Sequence, residues 1–371
     1  MIKIDFESHK NTTVFDVFQN QFGDDVCFLK DLPDKLESSA SIIVLPTVDS
    51  WGDDEYLFVN ASKRPSHVPK LINLAKVYND KQFYVLTVAP FLHEYFTDTP
   101  NVVVIYWGDD FLLHQNTNYH GNTFVEDKEF NKEWHWLCLS RNLRMHRAIC
   151  FMLLLGLDVK QGYLRFDPSL IFNHDSYKSF KSYLKYNKYI YLNSITAQFG
   201  TVLSKGFDKI KNQIGYNLTK YNNVDPEVNP NYGINYNIAL APQYYKHSAI
   251  EIAIETVFIN RTGMITEKYL NTVYGANFPI IIGMANSVAQ LREHGLDLFD
   301  DIIDHSYDTI DDPYVRMSQA IVRNQKLLED REKAIDLWIK NKLRFRSNFE
   351  LIENMYANKN KLIEQKIKSA I

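Results

Sequence analysis

Cysteine is scarce in this chain: 371 residues contain three, Cys27, Cys138 and Cys150. They lack the spacing of metal ligands, and an odd number in a long chain gives little sign of a disulfide framework and points to a reducing compartment. Long apolar runs are also missing. The best, "ICFMLLLGL", is too short to span a bilayer, and "MIKIDF" opens like a strand rather than a secretory signal, so the expected location is cytoplasmic, without a membrane partner. No strong charge of either sign is present. A formal net charge of -4 gives no overall attraction to nucleic acid or anionic lipid, so contact with either needs a local basic patch.

What is present is ordinary for a globular protein of two domains: 45% hydrophobic residues in a chain long enough for two large cores. Asn, Ile, Lys and Tyr are abundant, as AT-rich genomes such as those of many phages produce; a phage-encoded protein would then act in the host cytoplasm. Short apolar runs alternate with amphipathic stretches over the first third: "IKIDF", "TTVFDVFQNQFG", "SIIVLP", "HVPKLINLAKVY", "QFYVLTVAP", "FLHEYF" and "NVVVIYW". That alternation predicts a parallel sheet flanked by helices. The polar stretch "HQNTNYHGNTFVEDKEFNKE" reads as a linker, after which the pattern restarts with "WHWLCLS" as a strand, "HRAICFMLLLGL" as a helix, and then "IEIAIETVFI" and "FPIIIG" as strands. Residues 174–215 read as mostly helical, "YNNVDPEVNPNYGINYN" as a loop, and the chain from Asp297 onward as helical and charged.

The expected organisation is a Rossmann-like domain over residues 1–130, a second over 131–325, and C-terminal helices over 326–371. Two successive βα domains imply a cleft, with ligands at the carboxyl ends of strands.

Two helix starts carry cations where the unpaired amides of a first turn favour anions. In "MITEKYLNTVYGANFPIIIG", Thr266 is a candidate N-cap and Lys268 falls in the first turn, a placement unfavourable by roughly 0.3 to 1 kcal/mol unless an anion shares the site. That anion is either Glu267 beside it or a ligand phosphate. In "LSRNLRMHR", Arg141, Arg144, His146 and Arg147 crowd a strand-to-helix turn, where guanidinium forks and backbone amides together suit a diphosphate. The alternatives are a solvated arginine loop and a surface lysine paired to a carboxylate. Strand alternation places Glu251 and Glu255 on one face. Glu255, at the end of its strand, either accepts hydrogen bonds from vicinal hydroxyls or faces solvent on an edge strand.

These segments resemble a family. "IETVF" followed by "MITEKYLNTVYGANFPIIIG" is similar to the donor-binding segment of fucosyltransferase-like GT-B glycosyltransferases, which runs from a Glu to a Thr-Glu-Lys and then a Gly-x-x-Pro-(Ile/Val) strand. "LREHGLDLFDDIIDHSYD" and "LCLSRNLRMHR" look like further parts of phage and bacterial members of this type. The resemblance runs in patches from Trp134 to Arg323 and departs from the family in two respects: the Glu to Thr-Glu-Lys spacing is longer, and "TV" replaces the Asn-Ser that follows the Glu.

The resemblance implies an α/β protein of GT-B type, with two Rossmann-like domains facing a cleft. It would transfer a sugar from a nucleotide diphosphate sugar to a hydroxyl with inversion, without a metal or other cofactor. Lys268 and arginines of the turn (Arg141, Arg144, Arg147) would hold the diphosphate, Thr266 would cap the helix, and Glu267 or Glu255 would bind ribose hydroxyls. The base is expected at a strand end of the first domain: Asp109 and Asp110 lead, followed by His93, Glu94, Asp49 and Asp53.

The acceptor is either a glycan or other small molecule, or a hydroxymethylated base in DNA, which would require base flipping. The stretch "KNKLRFRSNF" interleaves cations with aromatics as nucleic-acid surfaces do, and also as an amphipathic helix with exposed cations does. Two other readings remain: a GT-B-shaped binding or virion-associated protein without turnover, and a nucleotide-dependent epimerase. The acidic run "LDLFDDIIDHSYDTIDD" lacks calcium-loop spacing and reads as a solvated helix face followed by a cap.

Overall fold

The structure, a computed structural model, describes residues 42–47, 67–87, 93, 95–106, 124–130, 132–140, 145–165, 190–212, 217–219, 242–255, 258, 267–358, 361 and 365. It is a mixed α/β protein in which both sheets are parallel, and no helix among the described residues is long and apolar enough to cross a membrane. The chain divides into two compact units, residues 1–116 with 353–371, and residues 117–352.

The first unit is built on β1 (Ile42–Thr47), α1 (His67–Val77), β2 (Gln82–Thr87) and β3 (Val102–Tyr106), with the strands in the order β1-β2-β3. Val68, Leu71, Ile72 and Ala75 recur at helical spacing along α1 and pack with Phe83, Val85, Phe96 and Val102. The Asn101 amide closes the end of α1, donating to the carbonyls of Ala75 (2.9 Å) and Lys81 (3.0 Å).

The second unit contains β4 (Trp136–Leu139), α2 (Met145–Gly156), β5 (Gly162–Arg165), α3 (Ile190–Asn212), β6 (Asn217–Thr219), α4 (Pro242–Tyr245), β7 (Ile250–Ile254), α5 (Glu267–Tyr274), β8 (Phe278–Ile282) and α6 (Ser287–Glu293). The helices α7 (Pro313–Glu329) and α8 (Arg331–Lys340) follow, and α9 (Lys342–Ala357) belongs to this unit as far as Ile352. Its sheet runs β6-β5-β4-β7-β8, so the chain winds outward from β4 through β5 to β6 and then returns to the other side of β4. The reversal between β4 and β7 is the topological switch of a doubly wound sheet, the place where such folds open a crevice at their carboxyl edge.

Helix α2 is apolar all round and buried from His146 to Leu155. Helix α3 approaches it backbone to backbone. A Cβ on Gly206 would lie 1.9 Å from the Met152 carbonyl oxygen, and one on Gly156 would lie 2.0 Å from that of Val202. On the sheet, Trp136 lies opposite Gly162 in register and covers it with its ring, while its Nε1 donates to the Lys160 carbonyl (2.9 Å).

Three expectations are corrected here. Residues 297–312 are turns rather than helix, and they cover the open edge of β8: the Tyr307 hydroxyl bonds both main-chain groups of Ile281 (3.1 and 2.9 Å), and His305 Nε2 donates to the Pro279 carbonyl (2.9 Å). Pro279 lacks an N–H on that same outer edge, where no strand among the described residues pairs with β8. The carboxylates of the run serve this packing. Asp297 and Asp301 hold Arg344, Asp300 holds Arg292, and Asp312 caps α7 by accepting from the amides of Tyr314 and Val315. Residues 124–130, expected within a linker, lie against the second unit, with Phe124 stacked on Phe349 and Phe130 edge-on to Trp338. Finally, β7 is an inner strand buried on both faces, so no edge-strand glutamate exists on it.

Candidate functional site

At the carboxyl edge of the second sheet, β4 ends at Leu139 and α2 begins at Met145. His146 and Arg147 in the first turn of α2 are both buried. Across the switch point, Glu255 follows β7 and is 1% exposed. Its amide donates to the Ile282 carbonyl (2.8 Å), which extends the ladder one residue beyond the strand. Its own carbonyl accepts from His146 Nε2 (3.0 Å), so the Nε2 proton is present and α2 is tied directly to the end of β7. The Glu255 side chain lies against Gly283 and Ser287: a Cβ on Gly283 would sit 3.3 Å from Glu255 Cγ and 2.8 Å from Ser287 Oγ.

The His146 ring stacks on Phe258 (centroids 4.9 Å, 12° between planes), and Phe258 meets the edge of Tyr314 at 5.2 Å. Behind them stands Arg316, fully buried on α7. Its Nε donates to the Gly283 carbonyl (3.0 Å), Nη2 to Phe258 (2.8 Å), and Nη1 to Ile310 and Asp311. Burial lowers the guanidinium to about 10, opposed by the charges of Asp308, Asp312 and Asp311.

The β8-to-α6 turn is closed to ligands from within. Asp308 Oδ2 accepts from the amides of Val288 (3.1 Å) and Ala289 (3.0 Å), which stands in for the missing cap at Asn286, a residue in the left-handed region at φ 66°. Burial raises the Asp308 carboxyl, and the two amide bonds pull it back.

Helix α5 begins at Glu267, with Lys268 second and half-buried. As the crossover between parallel β7 and β8, α5 starts on the side where β7 ends. Arg147, Glu255 and Lys268 therefore share one edge of one sheet. Arg141, Arg144, Thr266, Asp109, Asp110, Glu94, Asp49 and Asp53 lie outside the described residues, as do Cys27 and the loop 221–237. His93 opens a turn in the first unit, its carbonyl accepting from the Phe96 amide (3.0 Å).

Glu251 does not join Glu255. It accepts from the Tyr245 hydroxyl (2.9 Å) and Thr272 Oγ1 (2.7 Å), and burial raises its carboxyl to about 7, against the pull of both hydroxyls and of Lys128. A carboxyl raised from 4.5 in the unfolded chain to 7 in the fold binds more protons when folded. Its stabilising contribution is therefore full below pH 4.5 and is lost as pH rises through 7, on the order of 3 kcal/mol. Glu251→Gln is expected to remove that slope, so its stability relative to the parent rises between pH 5 and 7.5 in urea titrations. A constant difference would show that Glu251 does not titrate there. His135, buried and lowered to about 4, gives a slope of the opposite sign that both proteins share.

Cys138 and Cys150 are buried free thiols, and burial pushes Cys138 well up, away from thiolate chemistry. No cluster of three metal-ligating side chains occurs among the described residues. In the C-terminal stretch Phe345 and Phe349 pack, Leu343 is exposed, and the cations meet carboxylates: Lys340 with Asp336 (2.6 Å), Lys342 with Asp127 (3.1 Å), Arg344 with Asp297 and Asp301, and Arg346 with Glu126. Sequence reasoning missed Arg316. Its only signal was a cation among the buried residues of α7, beside Tyr314, Met317 and Ala320.

Comparison of the chain with protein-family models, curated proteins and solved structures finds no match.

Proposed function

We propose that the second unit binds a nucleotide diphosphate sugar at the carboxyl edge between β4 and β7, and that the protein is a fucosyltransferase-like GT-B glycosyltransferase. The observation that carries this reading is the strand order: it reverses where the arginine-bearing start of α2 meets Glu255. Two parallel α/β units in one chain also fit the GT-B plan.

In this reading Arg147 and Lys268, with Arg141 and Arg144, hold the diphosphate, and Glu255 or Glu267 takes the ribose hydroxyls. Fixed positive charge at the helix starts stabilises the negative charge that develops on the leaving diphosphate as the glycosidic bond breaks. Asp109 or Asp110 takes the acceptor proton. The matched cations of the C-terminal stretch favour a glycan or other small acceptor over duplex DNA, because paired charges release few counterions on DNA. A second reading, a GT-B-shaped binding protein without turnover, is favoured by the near-complete burial of Glu255 and Arg147.

The test is a calorimetric titration against nucleoside diphosphates and nucleotide sugars without added metal, followed by a sugar-transfer assay. Lys268→Ala is expected to weaken diphosphate binding by about 1 to 3 kcal/mol with the melting temperature unchanged. Unchanged affinity removes Lys268 from the site. Binding without hydrolysis or transfer supports the second reading, and no binding across the panel removes both.

A further inference from the structure

Arginine is an expensive residue to bury, and a buried guanidinium is ordinarily neutralised by a carboxylate at hydrogen-bond distance. Arg316 is 1% exposed, and no carboxylate lies within ion-pair distance of it among the described residues. Its donors go to four main-chain carbonyls, those of Gly283, Phe258, Ile310 and Asp311. Asp308, Asp312 and Asp311 act on it from longer range, the first two while accepting from the amides of α6 and α7.

The carbonyls it holds are not arbitrary. Gly283 follows β8 and lies against the Glu255 side chain, while Phe258 follows β7 and stacks on His146, which in turn bonds the Glu255 carbonyl. One planar fork thus fixes the exits of two adjacent strands, and the same guanidinium stands 5.8 Å from the centre of the Phe258 ring. Among the described residues no carboxylate touches the guanidinium, which stands behind the sheet edge that carries Arg147 and Glu255.

We propose that Arg316 is the positioning residue of the nucleotide site: it sets the exits of β7 and β8 so that Glu255 and His146 meet, and it lends its positive charge to an anionic ligand bound above them. This rests on the functional reading given above. Arg316 itself, enclosed by main chain, does not touch the ligand; its influence passes through Phe258 and Gly283 and through its field, which a low-dielectric surrounding transmits well.

A purely structural arginine and a site-setting one are separable. Arg316→Gln and Arg316→Lys both lose the fork and are expected to lower the melting temperature alike, but only lysine keeps the charge. Affinity is measured for whichever of UDP, GDP, ADP and CDP binds the parent protein most tightly. The dissociation constant is expected to rise at least tenfold in Arg316→Gln and less than threefold in Arg316→Lys. Equal losses that track the melting temperatures would overturn the charge role.

Phe258→Leu keeps the carbonyl that Arg316 bonds and removes the ring between Arg316 and His146. It is expected to weaken binding three- to tenfold even if the glutamine variant fails to fold. Parent-like affinity in Phe258→Leu would overturn the positioning role. A parent protein that binds none of the four diphosphates overturns the functional reading and this one with it, whereas parent binding with unchanged variants overturns this one alone.

Discussion

Lys128→Met is expected to destabilise the second unit by about 3 to 5 kcal/mol, the scale of removing one partner from a buried charged network. Lys128 reaches from the 124–130 segment into the base of the sheet, where its Nζ donates to the carbonyls of Tyr245 (3.0 Å), Ser248 (2.5 Å) and Gly275 (2.7 Å) and to Asn277 Oδ1. Those oxygens belong to the turns that lead into β7 and β8, so one amine fastens the entry of both strands to the end of α5. Burial pushes the ammonium well below its ordinary value, and the Glu251 charge restores part of it. Against that burial, the surrounding oxygens favour the ammonium, whose three N–H groups serve one acceptor more than the two of a neutral amine.

Methionine keeps most of the volume and satisfies none of the acceptors, each of which then carries a desolvation cost of about 1 to 3 kcal/mol unless water enters. Urea denaturation of the two proteins measures the difference. A loss below about 1 kcal/mol would mean that solvent replaces the amine freely.

Nothing in the sequence around Lys128 announces this role, because "VEDKEF" has the composition of a solvated linker. The residue's importance comes from where two distant turns, at residues 245–248 and 275–277, present their oxygens, which no local window contains. The same limit explains other differences. β5 (GYLR) and β6 (NLT) are short and carry few apolar residues, unlike β4 in its apolar run, so the strand order that defines the switch point was not legible, although β4, α2, β7, α5 and β8 were. Glu255 read as either ligand-binding or solvent-facing because alternation gives a face, and only the sheet order says that both faces of β7 are covered.

The first-turn position of Lys268 was legible from the helical period and the Gly275 to Asn277 stop. Its detail was not, since the left-handed residue is Ala276 (φ 50°), while Gly275 is required by its approach to Tyr245, where a Cβ would fall 2.0 Å from the ring. The acidic run misled for a related reason. Its carboxylates lie close in sequence but serve different elements, and a helical wheel treats them as one face.

Trp338→Ala is the second large effect, and it tests whether the C-terminal helices are an appendage or part of the second unit's core. Trp338 on α8 is 2% exposed; its Nε1 donates to the Ala276 carbonyl (2.6 Å), fixing the left-handed residue that ends α5. Its ring meets Phe130 edge-on at 5.4 Å and Phe345 at 6.0 Å, and lies 5.4 Å from the Lys128 amine and 5.1 Å from that of Lys342. Truncation leaves a cavity among aromatics and an unbonded carbonyl, an expected cost of about 3 to 5 kcal/mol.

Trp338→Phe retains a ring and loses only the indole donor and part of the volume, so about 1 to 2 kcal/mol is expected. Because Lys128 and Trp338 both hold the end of α5, the double variant should fall short of the sum of the singles by about 0.5 kcal/mol or more. Strict additivity would mean that the two side chains act on independent parts of the unit. An unfolding transition of the second unit unmoved by Trp338→Ala would return residues 326–371 to the status of an attached helical tail.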